Sequence, residues 1–90
     1  MDVHTTLKKS EDVTFQTVAG EAVLIRLDTG TYFSLNQVAT QFWEMLDGKR
    51  SIGEQASLLA TTYEVDVETV TRDLLELARQ LEDERLVILS

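Results

Sequence analysis

Residues 21–35 read EAVLIRLDTGTYFSL, and this stretch decides the fold. Apolar residues alternate through 21–27, with Val23, Ile25 and Leu27 on one face and Ala22, Leu24 and Arg26 on the other, the period-2 pattern of a strand. Asp28-Thr29-Gly30 supplies a glycine able to take positive φ at a tight hairpin, so Thr31–Leu35 (TYFSL) folds back as the next strand. Upstream, Val13 and Phe15 alternate with Thr14 and Gln16, and an Ala19-Gly20 turn joins this earlier strand to the stretch. Two successive hairpins make a meander in which TYFSL lies at one edge, its outer side unpaired.

Downstream, the period becomes helical. Asn36 is an N-cap, and Val38, Ala39, Phe42, Trp43, Met45 and Leu46 recur at spacings of three and four until Asp47-Gly48 ends the run. Ser51-Ile52-Gly53-Glu54 is a capping box that starts a second helix at Ile52, with Ala56, Leu59 and Tyr63 continuing its stripe. Asp66 caps a third helix, Val65 and Val70 are spaced as a hydrophobic staple, and the core stripe is Val67, Val70, Leu74, Leu77, Ala78 and Leu81. The apolar tail Leu86–Leu89 fits either a brief strand or an extended segment over the helices. Residues 1–11 are polar and read as a mobile arm. The expected architecture is one domain over residues 1–90, α+β and winged-helix-like, with a three-stranded antiparallel sheet packed on a three-helix bundle.

Composition narrows the function classes. Ninety residues support one modest core, and 43% hydrophobic against 27% charged residues with no proline is the balance of a folded chain. The absence of cysteine removes disulfides, thiolate metal sites and thiol nucleophiles and suits a reducing cytoplasm. No run approaches the roughly 18 apolar residues of a membrane span, and MDVHTTLKKSED lacks the apolar centre of a signal peptide, so the expected location is cytoplasmic with no membrane partner. Eight Lys and Arg against 16 Asp and Glu give a formal charge of -8, which repels phosphate backbones and argues against nucleic acid.

Catalysis finds no home. His4 is the single histidine and has no ligand set around it, so no metal site is expected. Ser34 and Ser51 lack a histidine partner, and Ser51 is already explained as a cap. Glu82-Asp83-Glu84 reads as a solvated helix end, and four scattered glycines make no phosphate cradle, so neither a catalytic residue nor a cofactor is expected. Lys49-Arg50 complements the C-terminal end of the first helix, while Phe42, Trp43 and Tyr63 lie on core stripes.

Two features ask for a partner. TYFSL is an uncharged edge, where proteins usually place lysine, proline or very short strands. Leu75 falls about a quarter turn off the main stripe of the third helix, beside Thr71, Ala78 and Arg79 and close to Arg72. Set side by side, they form the walls of a groove. A peptide would pair with the strand, rest its apolar side chains on Leu75 and Ala78, and set acidic residues against Arg72 and Arg79. The competing arrangement has the LVIL tail covering both features.

YFSLN (32–36), Val38-Ala39, Trp43, Leu46-Asp47-Gly48, Tyr63-Glu64-Val65, Val70, Asp73, Leu74, Leu81 and Leu86-Val87, in this order and spacing from Val13 to Val87, resemble the PqqD-like family of peptide chaperones, the RiPP precursor-peptide recognition elements. The resemblance implies a non-catalytic domain whose partner is the leader of a ribosomally made precursor, paired with the third strand and packed on the third helix. It selects Thr31, Tyr32, Phe33 and Ser34, with Thr71, Arg72, Leu75, Ala78 and Arg79 opposite. A free-standing chain of this size looks most like the leader-binding proteins of lasso-peptide pathways, which serve a separate leader peptidase. A chaperone for the radical SAM maturase of quinone-cofactor (PQQ) biosynthesis is the near alternative. One departure stands out, since Arg85 occupies the place where many relatives have glycine before Leu-Val. Outside the family the rivals are a winged-helix DNA-binding domain, opposed by six acids against three arginines between Val67 and Arg85, and a dimer formed through the sheet edge.

Overall fold

The computed structural model describes residues 1–90. Its elements are β1 (Leu7–Lys9), β2 (Val13–Val18), β3 (Glu21–Arg26), β4 (Tyr32–Ser34), α1 (Gln37–Glu44), α2 (Ile52–Tyr63), α3 (Val67–Asp83) and β5 (Val87–Leu89). The expected α+β arrangement of three helices and a three-stranded antiparallel meander is present, in the order β2-β3-β4. The strand predicted over TYFSL is β4, and it is an edge.

Cross-strand register aligns Phe15, Leu24 and Phe33 in one row facing the helices. The alternation in β3 left both faces open, and the structure selects Ala22 and Leu24, which are 1% and 0% exposed. Ala22 is small enough for α1 to close on the strand, and its N–H donates to Thr40 Oγ1 at 2.9 Å. Val23, Ile25 and Leu27 are left on the outer face, exposed.

The N-terminal segment differs from the expected mobile arm. Leu7–Lys9 pairs antiparallel with Val87–Leu89 in a separate two-stranded ladder, and the Leu7 side chain is 1% exposed inside the core. Periodicity could not reveal this, because a three-residue strand has too few residues to show a pattern and its partner lies at the other end of the chain. The ladder also settles the tail. Val87–Leu89 of the LVIL tail is a strand, and its partner is β1 instead of β4, so the tail does not pair with the sheet edge.

The helix starts are local and match the sequence. Asn36 Oδ1 accepts from the Ala39 N–H, Ser51 and Glu54 form the reciprocal capping box, and Asp66 accepts from the Thr69 N–H. Phe42 and Trp43, both 0% exposed, form the centre of the core with Leu24, Ile52 and Leu81. Val67, read as part of the core stripe of α3, is the first residue of the helix and is exposed instead, whereas Val70 one turn on is buried.

The end of α3 explains the departure at Arg85. This residue takes the left-handed conformation, φ 57°. Its N–H donates to Glu82 O at 2.9 Å and the Leu86 N–H donates to Leu81 O at 2.9 Å, the paired bonds of a Schellman termination. Glycine is the unstrained residue there, and the chain holds the same turn with arginine.

Candidate functional site

The hydrogen-bond alternation of β4 fixes which of its groups are free. Leu35 donates to Ala22 O and Arg26 donates to Thr31 O, so the pairs 22–35, 24–33 and 26–31 are the bonded ones. Phe33 therefore turns its amide toward β3, Thr31 turns its carbonyl there while its N–H donates to Thr29 Oγ1, and Tyr32 and Ser34 turn N–H and C=O outward. Neither Tyr32 nor Ser34 uses its backbone in any bond outside the sheet. The free edge is a two-residue row of four polar groups, flanked by a Tyr32 side chain 72% exposed on the outer face and a half-buried Phe33 on the inner one.

Arg26 sets α3 alongside this edge. Its guanidinium holds Asp28 in the hairpin tip through Nε–Oδ1 at 2.8 Å and Nη2–Oδ2 at 2.5 Å, and its Nη1 donates to Arg85 O at 2.9 Å and Glu84 O at 3.4 Å. The carbonyls that follow α3 are thus tied to the end of β3 and its hairpin by a cation that also complements the helix C-terminus. The paired hydrogen bond to Asp28 raises the Arg26 pKa, and the same bond holds the Asp28 carboxyl below its usual range.

Two cavities flank α3. The larger, about 610 Å³, lies between the start of α1, the end of α2 and α3, with Val38, Leu59, Tyr63, Asp73, Leu77 and Gln80 among its walls. Asn36, two residues beyond β4, lines it too. The other, about 510 Å³, is lined by α3 residues alone, including Thr71, Arg72, Leu75 and Arg79. At about 100° per residue, Asp73, Leu77 and Gln80 lie about 60–120° to one side of Leu74, and Thr71, Leu75 and Arg79 about 60–140° to the other.

The predicted site residues are therefore only partly brought together. Thr31, Tyr32, Phe33 and Ser34 form the edge, with Tyr32 and Ser34 alone offering free backbone. Thr71, Arg72, Leu75 and Arg79 gather on one flank of α3, and no residue of β4 lines their cavity or the larger one. Ala78 is 0% exposed within the core, so its side chain offers no surface to a ligand. Asn36, Val38, Asp73, Leu77 and Gln80 line the larger cavity, and of these the sequence reading made Asn36 a cap and put Val38 and Leu77 on core stripes. Apolar residues occur on both flanks of α3, and only packing shows which of them faces the start of α1.

The sheet has a second edge, β2, where Val13, Phe15 and Thr17 point outward by the same alternation. Lys9 guards it, its ammonium 5.6 Å from the ring centroids of both Phe15 and Trp43. No cation stands over β4.

A profile of the family described as Coenzyme PQQ synthesis protein D (PqqD) matches residues 21–87, from the first residue of β3 into β5. The chain belongs to the PqqD family. One PqqD-like relative of known structure, described as "TbiB1 in Complex with the TbiA(beta) Leader Peptide", is 35% identical, with a TM-score of 0.80 over 89% of this chain and 93% of that one. A second, "Lasso peptide synthetase B1 complexed with the leader peptide", is 22% identical and superposes with a TM-score of 0.81 over 91% and 96% of the two chains, a likeness of fold. None of the curated proteins matches this PqqD-family chain.

Proposed function

We propose that this protein binds the leader segment of a ribosomally made precursor peptide as an added strand on β4 and presents it to a separate maturation enzyme, a lasso-peptide leader peptidase. The observation that carries this reading is the vacant row at Tyr32 and Ser34, followed two residues on by Asn36 in the wall of the 610 Å³ cavity. Backbone pairing supplies affinity for any extended segment, and alternate side chains entering the cavity supply selectivity. TbiB1, a relative at 35% identity, has its structure described with a leader peptide.

In this reading the protein contributes no chemistry, and the precursor of the quinone cofactor is the alternative cargo. The exposed outer face of the sheet, with Val23, Ile25 and Tyr32, is contiguous with the row that the leader occupies, and it is the face we assign to the receiving enzyme.

Amide exchange tests the strand addition. On titration of ¹⁵N-labelled protein with the TbiA(beta) leader peptide, the Tyr32 and Ser34 amides become protected, while those of Val13, Phe15 and Thr17 on the opposite edge keep their rates. Saturable binding that leaves Tyr32 and Ser34 unprotected would refute the assignment to β4.

A further inference from the structure

Which flank of α3 faces the free edge decides the sign of charge that the groove accepts. The cavity that takes in Asn36, two residues beyond β4, has two carboxylates in its walls, Asp73 and Glu76, and no cation. The cavity on the other flank holds Glu68 and Glu76 against Arg72 and Arg79 and is balanced. Asp73 and Glu76 are both exposed, and neither takes part in an ion pair; the one salt bridge in the molecule joins Arg26 and Asp28.

Resting on the peptide-binding reading above, we infer that the groove selects leaders carrying a lysine or arginine beside an apolar anchor, with Asp73 and Glu76 as the residues that read the cation. An apolar side chain fills the space among Val38, Leu59, Tyr63 and Leu77, and a cationic neighbour lays its aliphatic stem over the same surface and sets its head at the two carboxylates. An acidic leader residue would meet two unpaired carboxylates within a chain of formal charge -8 and is disfavoured at the site and at long range. The preference is opposite to the one drawn from Arg72 and Arg79 by sequence alone. Those arginines line the other cavity, where Glu68 and Glu76 already offset their charge.

A displayed library of random twelve-residue peptides provides the test, selected in parallel on the wild-type protein and on Ser34→Pro, Asp73→Lys/Glu76→Lys and Arg72→Glu/Arg79→Glu variants confirmed to be folded. The wild-type selection is expected to enrich lysine or arginine next to an apolar residue. The Asp73→Lys/Glu76→Lys selection turns to aspartate and glutamate, and the Arg72→Glu/Arg79→Glu selection keeps the wild-type preference. Individual enriched peptides should lose about three- to tenfold in affinity on Asp73→Asn/Glu76→Gln, and less at high salt. Peptides enriched on the wild type but not on Ser34→Pro, with no cationic preference or with one moved by the arginine pair, overturn the charge reading and leave strand addition standing. If nothing is enriched on the wild type above the Ser34→Pro background, the peptide-binding reading itself falls.

Discussion

Ser34→Pro tests the edge with a single atom pair. In the free protein the Ser34 amide has no partner, so proline removes no existing hydrogen bond, and outward positions of edge strands are where proline is tolerated. The change in folding free energy should stay within about 1 kcal/mol. In the complex, the same substitution deletes one of four ladder groups, worth about 1 kcal/mol net, and leaves the leader carbonyl opposite it unpaired inside the groove, at least about another 1 kcal/mol. The sum, about 2 kcal/mol, is near a thirtyfold rise in Kd. Fluorescence anisotropy with labelled TbiA(beta) leader peptide reads the Kd, and urea denaturation reads the fold. Ser34→Ala, which keeps the amide, should bind as the wild type does. Phe33→Pro is the counter-test, because the Phe33 amide faces β3 and its ring packs on the core. That variant should lose more than about 3 kcal/mol of stability whether or not peptide is present. Normal binding by a folded Ser34→Pro protein would refute strand addition at β4, and a stable Phe33→Pro protein would refute the hydrogen-bond parity.

Other consequences are open to measurement. Leu7→Ala should lower stability by about 2–4 kcal/mol in urea titrations, because Leu7 is a core residue delivered by β1, whereas an unattached arm would show no change. Arg85→Gly should stabilise by about 1 kcal/mol by relieving the left-handed conformation, which scanning calorimetry would register as a rise of several degrees in Tm. Backbone hydrogen bonds from Arg50 and Lys49 hold the Asp47 carboxyl below its usual 3.8, and those at the capping box hold Glu54 below 4.5. Groups depressed in the folded state contribute stability that is complete above the unfolded pKa and lost as pH falls through the folded one. Stability should therefore be level from neutrality to about pH 5 and decline on further acidification, with a shallower decline in the Asp47→Asn/Glu54→Gln protein; parallel pH curves for the two proteins would refute this origin.

Much of this fold is legible in local patterns because local physics builds it. The alternation in 21–27, the glycine hairpin at 28–30 and the caps at Asn36, Ser51 and Asp66 satisfy backbone groups within a few residues, and each appears in the structure where the sequence placed it. The uncharged edge was equally visible, since a missing lysine or proline is a property of composition.

Tertiary structure alone decided the rest, where the partners are remote in sequence. The β1–β5 ladder joins residues some 80 positions apart, and strands of three residues carry no periodic signal of their own. Which face of β3 is buried depended on Ala22 fitting beneath Thr40 of α1. The side of α3 that faces the start of α1 depended on how the helix packs between α1 and α2. Leu75 and Leu77 are equally apolar, and no spacing within one helix can tell which of its flanks another element will approach.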